Sequence, residues 1–106
     1  MPCALDLSGL IATAKAGAKV TIKLIAQIST IQRVSLNGND ITDQLQGNSL
    51  TFTVPAGRNT IIMVLLPPPA SEEMKIVEDC GGGNTQTILS LDGGIHAAIS
   101  FDIIGS

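Results

Sequence analysis

The sequence has almost no aromatic side chains and little charge. It contains no Trp, no Tyr and only two Phe, Phe52 and Phe101, so it lacks the flat rings on which bases and sugars usually stack. Charged residues make up 14% of the chain, and its six Lys and Arg are scattered along it. Since no basic stripe exists to neutralise a run of phosphates, the composition excludes nucleic acid as a partner. It also argues against a stacking-type carbohydrate module.

The sequence also lacks a long apolar run. The longest, TIIMVLLPPPA at 60–70, is stopped by three prolines after six apolar residues, whereas a membrane helix needs about 20. The N-terminal stretch MPCALDLSGL carries neither a basic region nor an apolar segment of signal-peptide length. We therefore expect no membrane span and no export signal in the chain as given, and the compartment stays open.

Few residues are suited to catalysis. The chain has two cysteines, Cys3 and Cys80, and one histidine, His96. Cys80 follows Glu78 and Asp79, and an acidic neighbourhood raises the pKa of a thiol, which makes it a poor nucleophile at neutral pH. A catalytic pair of Cys80 and His96 would need two separate loops to meet. The two cysteines could instead form a Cys3–Cys80 disulfide or remain two buried thiols, and the sequence leaves both open.

Glycines and paired carboxylates give no catalytic pattern either. In EDCGGGNTQT at 78–87 three glycines follow the cysteine, but neither a P-loop lysine nor GxGxxG spacing is present. We predict a hairpin turn that needs positive φ. Neighbouring carboxylates, such as Glu72 with Glu73, would point to opposite faces of a strand. The sequence thus predicts no catalytic residue, no cofactor and no enzyme activity.

Oxygen ligands are concentrated in one short segment. NGNDITD at 37–43 contains Asn37, Asn39, Asp40 and Asp43, and carboxylate and amide oxygens are the ligands that calcium prefers. The spacing fits no EF-hand loop, and Asx-rich turns form the same pattern without metal. We treat these residues as a candidate binding loop, with an ordinary turn as the alternative and no metal assigned.

Alternation of apolar and polar residues runs through most of the chain. In KVTIKLIAQI at 19–28, Val20, Ile22 and Leu24 alternate with Thr21 and Lys23, which is typical of a strand with one buried face. Turn residues recur between such segments, as in NGND, PAGRN and CGGGN. Strands are predicted near residues 4–12, 18–28, 31–36, 40–45, 49–54, 60–66, 74–79, 85–91 and 95–103.

This pattern predicts the fold class. About seven to nine short strands separated by frequent turns indicate an all-β protein, an antiparallel β-sandwich that is either immunoglobulin-like or a jelly roll. The composition is uniform from end to end, so residues 1–106 are predicted to form a single domain. IIMVLL at 61–66, which is apolar on both faces, predicts a central strand.

The middle of the chain carries a family resemblance. VSLNGNDITDQLQGNSLTFTVPAGRNTIIMVLLP at 34–67 resembles a stretch of bacterial immunoglobulin-like and accessory β-sandwich domains, in which an LNG turn ends one strand and a later PAG turn feeds a long apolar strand. The cysteine, tryptophan and tyrosine-corner pattern of true immunoglobulin domains is absent. The resemblance implies a β-sandwich with a binding or structural role.

Three function classes follow from these observations. The first is a non-enzymatic binding or assembly module that acts through its surfaces and self-associates, because 44% hydrophobic and 14% charged residues leave apolar surface for a second copy to cover. The alternative is a glycan-binding or calcium-binding accessory module of a larger secreted or surface protein. An enzyme would rest on Cys80 and His96 alone, and the sequence favours the first class.

Overall fold

The structure, a computed structural model, describes residues 3–66 and 72–106. Almost all regular structure in these ranges is β. The strands are β1 (Ala12–Ala14), β2 (Lys19–Ile25), β3 (Thr30–Leu36), β4 (Asn39–Asp40), β5 (Leu45–Gln46), β6 (Ser49–Thr53), β7 (Gly57–Leu66), β8 (Met74–Gly81), β9 (Asn84–Leu91) and β10 (Ala98–Gly105), with a short 3-10 helix at Thr42–Gln44 between β4 and β5.

The strands form two sheets of five. Sheet A has the order β1-β10-β7-β3-β4, and sheet B has the order β5-β6-β2-β8-β9. Neighbouring strands are antiparallel except β1 and β10, which are parallel. The prediction of an all-β sandwich is confirmed.

Both sheets bury one face of their alternating strands against a common aliphatic core. Ile22 and Leu50 of sheet B and Ile61 and Met63 of sheet A are each 0% exposed. Alternation places their neighbours outside, where Thr21 and Thr51 face each other with their hydroxyl oxygens 2.9 Å apart. The apolar residues that the sequence offers at every second position therefore form the core.

Two predicted strands differ from the observed ones. The strand predicted at 4–12 is wrong over most of its length, because the backbone N–H groups of Ala4 and Leu5 donate to the Glu78 side chain and regular pairing with sheet A begins only at Ala12. The strand predicted at 40–45 is split by the 3-10 helix, since the Asp40 carboxylate accepts the Thr42 N–H and turns the chain. Residues 3–66 and 72–106 therefore contain ten strands rather than the predicted seven to nine.

The apolar segment IIMVLL lies in β7, the middle strand of sheet A, as predicted. Only one of its faces is in the core, however, and the other faces outward. The described part of the chain has no helix that is long and apolar enough to cross a membrane.

Candidate binding surfaces

The stretch EDCGGGNTQT forms the end of β8, a glycine turn and the start of β9. Gly82 and Gly83, with φ of 61° and 82°, make the turn between paired residues Gly81 and Asn84, and such backbone angles favour glycine. Cys80 forms a disulfide with Cys3, with their Cα atoms 4.7 Å apart. A sulfur in this bond is not a thiolate nucleophile.

His96 has a local partner. Its Nε2 lies 2.8 Å from the carbonyl oxygen of Gly93, within the same loop. This hydrogen bond, together with the disulfide at Cys80, leaves the two residues in separate local structures. The geometry gives no support to a catalytic pair of Cys80 and His96.

The candidate binding loop begins with a hairpin turn, and two of its four predicted ligands bond to the protein. Asn37 and Gly38, with φ of 54° and 84°, link β3 to β4, which is the signature of a type I′ turn. The Asn37 amide bonds to Asn59 and to the N–H of Thr60, and Asp40 accepts the hydroxyl and N–H of Thr42.

Two of the four predicted oxygen ligands, Asn37 and Asp40, accept hydrogen bonds from the protein. Asn39 and Asp43 are exposed, while Asn37 Oδ1 accepts the N–H of Thr60 in β7 and Asp40 Oδ1 accepts the N–H of Thr42. Among the described residues, the one group of three or more His, Cys, Asp or Glu side chains close enough to hold a metal is Cys3, Glu78 and Cys80. Two of these three are joined in the disulfide, and both carboxylate oxygens of Glu78 accept hydrogen bonds from the protein.

Glu72 is a buried carboxylate that holds the loop between β2 and β3. Its oxygens accept the backbone N–H groups of residues 27–29, at 2.7 Å for Gln27, and the hydroxyl of Ser29 at 3.2 Å. Burial acts to raise the pKa of Glu72, but the hydrogen bonds from residues 27–29 outweigh it and hold the pKa below its usual 4.5. The ionised form is therefore the one that the fold stabilises.

We expect acid to weaken the fold through Glu72. Because its pKa is lower in the folded state, its contribution to stability is present above pH 4.5 and is lost as the pH falls through the folded value. Glu72→Gln should therefore unfold with a flatter pH dependence below that point, measured by denaturant titration between acidic and neutral pH. The control is Glu73→Gln at the exposed neighbouring position, and equal pH profiles for the two variants would contradict the assignment.

Residues 3–11, which we call the strap, cross the open edge of the sandwich. Glu78, 2% exposed, accepts the N–H groups of Ala4 at 2.9 Å and Leu5 at 3.2 Å. Gln86 donates to the carbonyl oxygen of Leu5 at 2.8 Å and to Glu78 at 2.6 Å. The Cys3–Cys80 bond fixes the start of the strap to β8, so this segment is held by covalent, polar and apolar contacts together.

A cleft, which we call the edge cleft, lies between the strap, β9 and β10. It has a volume of about 380 Å³. The apolar side chains of Leu7, Ile88 and Phe101 line it, with Arg58 and Asp102 at its polar side. Arg58 Nη2 lies 2.6 Å from Asp102 Oδ2, so these two charges balance each other. The cleft wall is therefore part apolar and part polar, and its two charged side chains pair with each other.

The outer side of sheet A carries the second surface, which we call the apolar face. Ile62, Val64 and Leu66 point outward in a row along β7 and are 39%, 36% and 53% exposed. On either side of the row the paired positions of β10 and β3 carry small or polar residues: Ala98, Ser100, Ser35 and Arg33. The signal for this face was present in the sequence, because IIMVLL is apolar at consecutive positions.

Comparisons with protein-family models, with curated proteins and with solved structures give no match. The resemblance to bacterial immunoglobulin-like domains therefore remains a prediction.

Sequence reasoning did not identify three residues that organise these surfaces. Glu78, Gln86 and Asn59 are all held by partners far away in the chain; Glu78, for example, binds Ala4 across 74 positions. From the sequence alone, an acidic residue in an alternating segment is predicted to face solvent, and an asparagine that follows PAG is predicted to lie in a turn. No local signal distinguishes them from ordinary surface residues.

Proposed function

We propose that this protein is a non-enzymatic β-sandwich module that assembles with a second copy of itself through the apolar face. The observation that carries the proposal is the row of Ile62, Val64 and Leu66, each more than a third exposed on the outside of a central strand. Exposed apolar rows of this kind usually mark a surface that a partner covers.

A second copy suits this face better than a charged partner does. Of the flanking residues, only Arg33 is charged, while Ala98, Ser100 and Ser35 are small. A two-fold axis through Val64 would place the apolar row of one copy against that of the other. The chain as a whole has 14% charged residues, so little repulsion opposes such packing.

We also propose that the sandwich is immunoglobulin-like. What supports this is the strand order, because β10-β7-β3 matches strands G, F and C, and β5-β6-β2 matches D, E and B. The parallel pair of β1 and β10 joins the first strand to the last. The hairpin of β8 and β9 then occupies the place beside β2 that strand A holds in an immunoglobulin domain. This assignment fits the predicted binding or structural role.

Light scattering over a range of protein concentrations tests the assembly. We expect a dimer whose fraction rises with concentration, and we expect Val64→Lys to return the mass to that of a monomer, since it places a charge in the apolar row. Thr53→Lys, at an exposed outward position of sheet B, is the matched control and should leave the dimer intact. A wild-type protein that stays monomeric at every concentration would refute the proposal.

The edge cleft supports a second candidate, the ligand-binding accessory module. Its volume of about 380 Å³ is within the range of small-molecule sites, although Phe101 is its one aromatic side chain. NMR titration with a panel of soluble oligosaccharides tests it. Shifts confined to Phe101 and Ile88 would favour a glycan ligand, and an unchanged spectrum would remove this candidate.

A further inference from the structure

The strap is attached to the rest of the protein in a compact set of contacts at its start. Leu5 is 4% exposed within the common core, and its backbone bonds to Glu78 and Gln86. Asp6 then exchanges two backbone hydrogen bonds with Thr13, at 2.7 and 3.0 Å. Residues 3–6 therefore fill a groove whose walls belong to β8, β9 and β1.

Residues 7–11 connect these contacts to β1 by a loop with exposed apolar side chains. Leu10 is fully exposed and Ile11 is 36% exposed. Gly9 lies between Leu10 and the contacts made by residues 3–6. A side chain added at Gly9 would have no neighbour closer than 3.9 Å. If this loop straightened, it could span on the order of 20 Å, enough for residues 3–6 to leave their own groove.

We propose that the strap is exchanged between two copies of this protein. The groove of one copy accepts residues 3–6 of the other, so that every contact to Glu78, Gln86 and Thr13 is remade across the dimer. The occupant that we assign to the groove is residues 3–6 of a second copy, because the same residues already bind in this groove within one copy. The two straightened loops then run past each other at the two-fold axis, and Leu10 and Ile11 gain a partner surface. Exchange of an identical element makes a dimer at low cost in contacts.

The Cys3–Cys80 bond controls the exchange. A small thiolate attacks the sulfur of Cys3, forms a mixed disulfide with it and releases Cys80 as a thiolate. After the straps exchange, the Cys80 thiolate of one copy attacks the mixed disulfide on Cys3 of the other and expels the small thiolate. Each cycle breaks and forms the same number of S–S bonds, so the thiol is a catalyst and no oxidant is consumed. The product is a dimer with two disulfides between chains.

The test uses the full chain with catalytic reduced glutathione, at low and high protein concentration. One half of the protein is labelled with nitrogen-15, the reaction is quenched with iodoacetamide, and the products are separated without reductant. We expect a covalent dimer whose fraction rises several-fold with concentration, and peptide mapping should join labelled Cys3 to unlabelled Cys80. No covalent dimer, or bonds between like cysteines, would overturn the proposal.

A second variant addresses the loop directly. Removing residues 7–11 leaves only Ala12 between the bridged residues Asp6 and Thr13, fewer than the two residues of the shortest common hairpin loop, so the strap cannot fold back into its own groove and the covalent dimer should become the main species. A purely monomeric deletion variant whose Cys3–Cys80 bond is intramolecular would also overturn exchange.

This inference rests on the proposed self-association in naming a second copy as partner, but the two can fail separately. In Val64→Lys the glutathione-dependent covalent dimer should persist while the non-covalent dimer is lost. A non-covalent wild-type dimer with no covalent product refutes exchange alone. A covalent product without any non-covalent wild-type dimer refutes the apolar face alone.

Discussion

Replacing Cys3 and Cys80 together by serine is expected to lower the free energy of unfolding by about 4.5 kcal/mol on the chain-entropy model. The two residues are 77 positions apart, so the bond closes most of the chain into one loop and removes many conformations from the unfolded state. A domain of this size has a total stability on the order of 5–15 kcal/mol. The loss is therefore a large part of the total, and the double-serine variant should be only marginally folded at 37 °C.

Urea titration, followed by circular dichroism with and without dithiothreitol, measures this effect. Wild-type protein in reductant should unfold at the same midpoint as the double-serine variant, while reductant leaves that variant unchanged. The slope of free energy against urea should also increase without the bond, because the unfolded chain then exposes more surface. A wild-type midpoint that does not move in reductant would contradict the prediction. Low protein concentration keeps strap exchange out of the measurement.

The fold class was predictable because the chain repeats a single physical pattern. Val20, Ile22 and Leu24 alternate with polar residues, and all three are buried in β2 as expected. Alternation of this kind specifies which face of a strand is buried wherever a sheet has one wet side. The turn between β3 and β4 was predictable from its residues. An NG pair between apolar segments predicts positive φ at both positions, and Asn37 and Gly38 have φ of 54° and 84°.

The segment at 4–12 was not predictable, because its partner is a side chain. Leu5 and Leu7 alternate with polar residues as a strand would. Its N–H groups at Ala4 and Leu5, however, bond to the carboxylate of Glu78 and not to a neighbouring backbone. A buried carboxylate that accepts backbone donors competes with sheet pairing, and nothing local in EDCGGG indicates it.

Local sequence patterns indicate the apolar face but not the strap. The apolar face could be read from IIMVLL once the neighbours of β7 were known, because consecutive apolar residues must cover both faces of a strand. The strap could not, since it depends on contacts between the first residues of the chain and the β8–β9 hairpin. Long-range pairing of this kind determines which parts of an apolar sequence remain exposed, and it is absent from local patterns.

The LNG turn and the PAG turn contact each other. Asn37 of the LNG turn donates from its side chain to Asn59 Oδ1 at 2.9 Å. Asn59 in turn donates to the carbonyl oxygens of Pro55, Gly57 and Ile103 at 2.8, 3.1 and 3.2 Å. One buried amide, 1% exposed, thus joins the PAG turn, the last strand and the β3–β4 hairpin. This contact gives a physical reason for the two motifs to occur together.

We therefore expect the Asn59→Asp substitution to lower the stability of this end of the sandwich strongly, although it only replaces the side-chain NH2 group by an oxygen. An ionised carboxylate would face three carbonyl oxygens, and an uncompensated buried charge costs about 3–5 kcal/mol. The carboxyl would consequently have a pKa raised above the value of about 3.9 that it has in an unfolded chain. Protonation restores one donor, so the deficit relative to wild type should be smallest at low pH and should grow as the pH rises through the folded pKa.

Unfolding titrations of Asn59→Asp and wild type at pH 4 and pH 7 test both the size and the sign of this effect. Asn39→Asp, the same substitution at an exposed position of the neighbouring hairpin, is the matched control and should change stability by less than about 0.5 kcal/mol. Comparison with wild type at each pH removes the acid sensitivity that Glu72 contributes. A deficit at Asn59 that is equal at both pH values would mean that the introduced carboxyl reaches solvent. Asn59 would then not be the buried link between the turns and the last strand.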